Sequence, residues 1–143
     1  MTFDNLFNLF LRWGRVIRPS DYLVFKSYLK EMLKRKSVMI IKENESIKGI
    51  AIFFLSNDYE RFLFKPLWDI PEGDDPNGKY IIIDKMACQS WNLSMRRLLQ
   101  EVIEDNFNVL EGHYYHAPLG PHVTINRRRP LNVQRSDLIG CGV

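Results

Sequence analysis

The residues whose types and spacing suggest chemistry lie within 79–106, where a strand-like pattern changes into a helical one. Residues 80–87 are apolar and rich in β-branched side chains, as in a mostly buried strand, whereas apolar residues from Met95 to Ile103 follow helical spacing. A helix N-terminus with free N–H groups is therefore expected just beyond a central strand, where anionic groups are favoured. The polar segment 89–94 is the first candidate for function.

Trp91, in the middle of this segment, has two interpretations. It can be a stacking platform for a nucleobase or an adenine ring, with Arg96 and Arg97 beside it to contact phosphate. It can equally be a hydrophobic plug that closes the end of the sheet. Both interpretations stay open from the sequence.

Other reactive residue types are better explained by packing than by catalysis. Cys88 would be a nucleophile only as a thiolate, and no base lies near it in sequence, so we expect a small residue at a strand end. On an extended strand His113 and His116 point to opposite faces and cannot share a metal ion unless the strand bends. With His122 as the one remaining histidine, no metal site is expected.

Positive charge is clustered at two places in a chain whose formal net charge is only +3. The first cluster lies in residues 30–36 and the second is Arg127, Arg128 and Arg129. Both suit phosphate, so contact with nucleic acid through the three arginines is one expectation. The other expectation is that these side chains are simply exposed to solvent, the first cluster near the end of a helix and the second along an edge strand.

Length and composition predict one domain spanning 1–143. The chain is 45% apolar and 26% charged, as in ordinary globular proteins. No apolar run approaches the ~20 residues that span a bilayer, and the N-terminal segment lacks the features of a secretory signal. We therefore expect a cytoplasmic location and no membrane partner. Cys88 and Cys141 are expected to be reduced thiols.

Two amphipathic helices are predicted in residues 1–36, before any strand. The first covers about 3–16, and Pro19 prevents it from continuing. Ser20 or Asp21 is expected to cap the second.

The sheet and its central helix are predicted to span 37–116. Residues 37–43 and 47–55 are β-branched and aromatic runs whose three-residue connection requires an antiparallel hairpin. Gly49 indicates a bulge or a close approach to another backbone or to a ligand. In residues 57–78 the strand pattern is broken: apolar residues from Phe62 to Trp68 suggest a partly buried segment, and 71–78 consists almost entirely of turn formers, so a mobile surface loop is expected there. A further strand is predicted at 108–115, and the tail 117–143 is expected to be irregular apart from an edge strand at 122–127.

This order resembles the core of the GNAT superfamily, the acyl-CoA-dependent N-acyltransferases. In that family an antiparallel meander leads into a strand, a pyrophosphate loop and a helix, and the next strand splays away to admit the pantetheine arm. The family loop is roughly Gln/Arg-x-x-Gly-x-Gly/Ala; here Gln89 stands first, with Asn92 and Ser94 in place of the glycines. The resemblance implies an α+β fold, an α/β sandwich with a mostly antiparallel central sheet and helices packed on it in the order ααβββαβ(β).

A site for acetyl-CoA or another acyl-CoA is implied by the same resemblance. Backbone N–H groups of Met86 and Cys88 would polarise the thioester carbonyl, while the loop and the helix start would hold pyrophosphate. The residues expected to bind the cofactor are Met86, Cys88, Gln89, Asn92, Ser94 and Arg96.

Catalytic roles implied by the resemblance fall on two carboxylates and a tyrosine. Asp84 or Glu111 would accept a proton from the amine acceptor, and Tyr115, or its neighbour Tyr114, would protonate the leaving thiolate. The competing interpretation of Asp84 is an ion pair with Lys79, Lys85 or an arginine. For the tyrosines it is buried packing.

Two functions follow from these expectations. The first is an N-acyltransferase that moves an acyl group from acyl-CoA to an unidentified amine acceptor. The second is a catalytically inactive binding or structural protein on the same scaffold, which contacts protein or nucleic acid through its basic edge. Proteins that resemble this family but lack some of its elements occur in tailed phages. A phage protein located in the host cytoplasm or the virion is therefore included in the second function.

Overall fold

The computed structural model describes residues 1–14, 18–116 and 120–126, with side chains up to residue 114. In this part of the chain five strands form one sheet, and the expected α+β class is confirmed. The strands are β1 (Val38–Glu43), β2 (Ser46–Ser56), β3 (Tyr80–Cys88), β4 (Glu111–His116) and β5 (Gly120–Asn126). The helices are α1 (Phe3–Trp13), α2 (Tyr22–Lys34), α3 (Tyr59–Leu63) and α4 (Leu93–Asn106), with a 3-10 turn at Pro19–Asp21.

The strands lie side by side in the order in which they occur in the chain. Three of the four pairings are antiparallel, namely β1 with β2, β2 with β3, and β4 with β5. β3 and β4 are parallel, because α4 connects them and brings the chain back to the end of the sheet at which β3 begins. The sheet is therefore mixed, with its single described parallel pair directly beside the β3–α4 connection.

The N-terminal helices have the amphipathic faces that the sequence predicts. The hydroxyl of Thr2 caps α1 by accepting a hydrogen bond from the Asn5 N–H at 3.2 Å. α1 ends at Trp13, earlier than the predicted Val16, because Gly14 already has an extended backbone. Asp21 occupies the N-cap position of α2, but its side chain makes no capping hydrogen bond.

The predicted hairpin of β1 and β2 is present. Its turn residues Asn44 and Glu45 both have positive φ, 51° and 69°, as a type I′ turn requires. Ile41 pairs with Gly49 and Lys42 with Ile47, so the strand bulges next to Gly49. A Cβ on Gly49 would lie 2.6 Å from the Met95 methyl carbon of α4. The same Cβ would lie 3.3 Å from the Ala87 carbonyl oxygen, so the bulge predicted for Gly49 occurs and a neighbouring backbone is close to it as well.

The predicted element order misses α3, which lies between β2 and β3, so the observed order is ααββαβαββ. The Asp58 side chain caps α3 by accepting from the Arg61 N–H at 3.3 Å. The segment after α3 is fixed to the sheet, since the Ser56 hydroxyl donates to the Gly73 carbonyl at 2.8 Å and the Asp75 N–H donates to the Leu55 carbonyl at 2.8 Å. β5 begins at Gly120, two residues before the strand predicted at 122–127.

The helices cover both sides of the sheet. We call the side covered by α1, α2 and α3 the α2 face, and the side covered by α4 the α4 face. Alternate residues of β2 divide between them: Ile52 and Phe54 belong to the α2 face, and Phe53 and Leu55 to the α4 face. Each fully buried side chain of this size contributes roughly 1.5–3 kcal/mol. The central strands are thus buried on both sides.

Every helix in the described residues is too short or too polar to serve as a membrane span.

Candidate functional site

The parallel strands β3 and β4 stay paired over only part of their length. Their register runs from Tyr80 with Glu111 to Ile83 with Tyr114. β3 continues to Cys88, so residues 84–88 have β2 on one side and no described strand on the other. We call this opening, between residues 84–88 of β3 and the end of β4, the fork.

The segment 89–94 joins the fork to α4. Asn92 is the N-cap of α4: its side-chain oxygen accepts from the Met95 N–H at 2.9 Å, and its amide nitrogen donates to the Ser90 hydroxyl at 2.9 Å. Asn92 therefore stabilises the helix start, in a position where the family loop has a glycine. Gln89, Ser94, Arg96 and Arg97 are exposed to solvent around this helix start.

Trp91 packs across the end of the sheet. Its ring lies edge-on to that of Tyr114 on β4, with centroids 5.8 Å apart. Trp91 is half-buried and belongs to the α4 face, as do Met86 and Cys88. The ring contact matches the plug interpretation of Trp91 and leaves part of the indole exposed.

A bulge in β3 places Asp84 and Lys85 on the same face of the sheet. Ile52 pairs with Lys85 and Phe53 with Ile83, so Asp84 is the additional residue. Lys85 takes the face of its partner Ile52, which is the α2 face. Asp84 contacts Tyr28 of α2, so its side chain also lies on this face. Two consecutive charged residues thus enter one apolar layer.

Asp84 is bound through both carboxylate oxygens. Oδ1 forms an ion pair with Lys65 Nζ at 3.2 Å, and Oδ2 accepts a hydrogen bond from the Tyr28 hydroxyl. The side chains of Lys65 and Asp84 are only 3% and 9% exposed. The sequence expectation of an ion pair for Asp84 is correct in kind, but its partner is Lys65 rather than Lys79, Lys85 or an arginine.

Two neighbouring groups have shifted pKa values. Burial, reinforced by the negative charge of Asp84, raises the pKa of Tyr28, so the phenol stays protonated and donates. Burial also lowers the pKa of Lys85; the charge of Lys65 acts in the same direction and that of Asp84 opposes both. Lys85 forms no ion pair with a described residue, although the charge of Asp84 acts on its pKa.

Trp68 covers this cluster. Its ring packs against Phe25 at 5.4 Å and Tyr28 at 5.6 Å, and Lys85 Nζ lies 5.2 Å from the ring centroid. The indole Nε1 is buried and has no hydrogen-bond partner within the described part of the chain. The backbone of Trp68 has φ of 65°, a left-handed conformation that costs a bulky residue of order 1–3 kcal/mol. We call Tyr28, Lys65, Trp68, Asp84 and Lys85 the lysine–aspartate cluster.

Glu111, the second candidate base, lies elsewhere. It pairs with Tyr80, four residues before Asp84, which corresponds to about 13 Å along the strand. Its carboxylate is 2.8 Å from His113 Nε2, and the His113 ring stacks on Tyr59 at 3.9 Å. The structure therefore does not bring Glu111 and Asp84 together, and it places Glu111 at the end of the sheet away from the fork. The side chain of Tyr115 lies outside the described set.

Three members of the cluster were missed by sequence reasoning: Tyr28, Lys65 and Trp68. Tyr28 occupies the apolar stripe of α2 and resembles an ordinary core residue, while Lys65 and Trp68 lie in a segment without regular spacing. The available signal was the pair Asp84-Lys85 inside an apolar strand, because charged residues in a buried strand require partners.

The described residues contain no group of three or more His, Cys, Asp or Glu side chains suited to a metal ion. The side chains of His116 and His122, and Arg127, Arg128 and Arg129, lie outside the described residues. Comparison with protein-family models, curated proteins and solved structures finds no match for this chain.

Proposed function

We propose that this chain is a GNAT-like protein that binds an acyl-CoA at the fork and transfers its acyl group to an amine. The observation that carries the proposal is the early end of pairing between β3 and β4, at Ile83 and Tyr114, while β3 continues to Cys88 and the loop that starts α4. A strand that extends past the end of its neighbour can offer backbone N–H and C=O groups to an amide-containing arm such as pantetheine.

The cofactor would lie along the part of β3 that continues beyond its pairing with β4. Met86 and Cys88 are two residues apart, so their N–H groups point to the same edge and can act together on a thioester carbonyl. The pyrophosphate would meet the N-terminus of α4, with Gln89, Ser94 and Arg96 exposed around it.

Binding is better supported than transfer. Asp84 already accepts from Lys65 and Tyr28, so an acceptor amine would have to compete with two donors for its oxygens. Glu111 lies about 13 Å further along the strands and is engaged with His113. In this proposal Asp84 is a positioning residue, and the acceptor amine loses its proton to another group or to solvent.

Calorimetric titration of the full chain with acetyl-CoA tests the proposal. We expect saturable binding that Gln89→Ala weakens roughly two- to tenfold, as for the loss of one hydrogen bond. Gln100→Ala, seven residues into α4, is the matched control and should bind like the unmodified chain. Absence of heat at millimolar acetyl-CoA overturns the proposal. Release of free thiol on adding a panel of primary amines then distinguishes transfer from binding alone.

A second candidate is a catalytically inactive protein on the same scaffold. It is favoured by the occupied carboxylate of Asp84 and by Asn92, whose side chain already serves the start of α4. Its partner would be a protein or nucleic acid bound through Arg127, Arg128 and Arg129. Salt-dependent DNA binding that is lost in Arg127→Ala plus Arg129→Ala, together with no response to acetyl-CoA, would establish it.

A further inference from the structure

The lysine–aspartate cluster contains more hydrogen-bond donors than acceptors. Asp84 supplies both of its oxygens, one to Lys65 and one to Tyr28. Trp68 Nε1 is buried without an acceptor among the described residues, and the half-buried Lys85 makes no ion pair with them, its Nζ lying 5.2 Å from the Trp68 ring centroid. A buried donor without a partner costs about 1–3 kcal/mol, and native proteins rarely leave one unexplained.

The charges of the cluster are also unequal. Two ammonium groups, Lys65 and Lys85, face the single carboxylate of Asp84, and the Tyr28 phenol stays neutral. Arg35 and Asp69 also influence Tyr28, but in opposite directions, and both are exposed. With both lysines protonated, the buried cluster carries one net positive charge, which a single monovalent anion would neutralise.

We propose that the lysine–aspartate cluster binds a small monocarboxylate between Lys85 Nζ and the indole N–H of Trp68. The two oxygens of a carboxylate match two separate donors, and its single negative charge balances the cluster. A phosphate dianion would instead reverse the charge of a site in which Asp84 and Lys65 are 9% and 3% exposed.

Backbone geometry also supports a ligand role for Trp68. Its left-handed conformation holds the indole against Phe25 and Tyr28 and over Lys85, and such strain collects at binding sites. The site lies on the α2 face, whereas α4 and Trp91 lie on the α4 face. The proposal therefore does not depend on acyl-CoA binding.

The indole N–H signals of the ¹⁵N-labelled full chain provide the test. The chain has three tryptophans, so Trp13→Phe and Trp91→Phe assign the Trp68 signal without changing the cluster. Titration with sodium acetate should shift the Trp68 signal saturably and leave the other two in place. Sodium chloride at equal ionic strength should not reproduce the shift, and inorganic phosphate should bind more weakly than acetate.

Lys85→Met should weaken acetate binding at least about tenfold, because a charged hydrogen bond is lost. Lys79→Met is the control, because Lys79 is an exposed lysine directly before β3. This variant should bind acetate like the unmodified chain. In the unmodified chain, acetate affinity should fall as the pH rises through the lowered pKa of Lys85, since the ammonium loses its charge. The pH dependence tests the proposal even if Lys85→Met does not fold, because it is measured on the unmodified chain.

An unresponsive Trp68 signal, equal binding by Lys85→Met, or tighter binding of phosphate than acetate would each overturn the proposal. Acyl-CoA binding at the fork could persist in all three cases, so failure here is distinct from failure of the proposed function.

Discussion

Asp84 is the residue on which the polar chemistry of the α2 face depends. It is the additional residue of the β3 bulge, and its carboxylate joins α2, through Tyr28, to Lys65 in the segment after α3. Lys65 also lies 5.2 Å from the Tyr28 ring centroid and 5.7 Å from that of Phe54, in an otherwise apolar layer. Its ammonium therefore relies on Asp84 for charge compensation.

Asp84→Asn should destabilise the fold by about 3–5 kcal/mol, because it leaves the Lys65 ammonium buried without a counter-charge. The change preserves size and still accepts the Tyr28 hydrogen bond. Chemical denaturation followed by circular dichroism measures the effect. Asp58→Asn is the matched control: its ion pair with Arg61 is more than half exposed and asparagine caps α3 as well as aspartate, so under about 1 kcal/mol is expected. Equal losses in the two variants would contradict the buried pair.

At the scale of elements, periodicity predicted the hairpin of β1 and β2 and the change from β3 to α4, because both have long apolar patterns. α3 was missed because five residues are too few to establish helical spacing. The β3 bulge was missed for a different reason. Asp84 and Lys85 are adjacent in sequence, and alternation assigns adjacent strand residues to opposite faces. The contact of Tyr28 with Asp84 joins residues 56 apart and has no local signal.

Gly78 connects the segment after α3 to the start of β3. A Cβ there would lie 2.4 Å from the Ser56 backbone nitrogen, and that backbone belongs to β2. Gly78→Ala should therefore cost roughly 1–3 kcal/mol in thermal or chemical denaturation, since a sheet strand must move. Gly49→Ala is the comparison: its nearest obstacle is the Met95 methyl, the flexible end of a side chain, so a smaller loss is expected. A larger loss for Gly49→Ala would indicate that Met95 cannot shift.

For the whole molecule, the sheet separates two apolar layers that differ in their response to pH. The α2 face contains the lysine–aspartate cluster, whereas the buried side chains of the α4 face are apolar apart from the amide of Asn106, which carries no charge. Groups whose pKa shifts on folding link the free energy of unfolding to pH. Lys85 and Tyr28, the two members with shifted pKa values, both belong to the α2 face.

The free energy of unfolding should rise with pH relative to that of Lys85→Met. Between the lowered pKa of Lys85 and its ordinary value of 10.5, the unfolded chain binds more protons than the folded one, so folding gains as pH increases. Denaturation from roughly pH 7 to 9.5 avoids the region above 10 where Tyr28, with its raised pKa, acts in the opposite direction. Lys79→Met should follow the unmodified chain. Parallel curves for the unmodified chain and Lys85→Met would show that Lys85 is not desolvated.

The single additional residue in β3 is absorbed by the bulge, so the parts of the strand on either side of it keep the same alternation. Ile83 and Lys85 pair with Phe53 and Ile52, which are neighbours on β2, and removal of Asp84 would leave a continuous ladder in which Met86, Ala87 and Cys88 keep their present sides. A one-codon deletion of Asp84 would therefore spare the pairing of β3 and the cap of α4, and its cost would come from the lost counter-charge of Lys65.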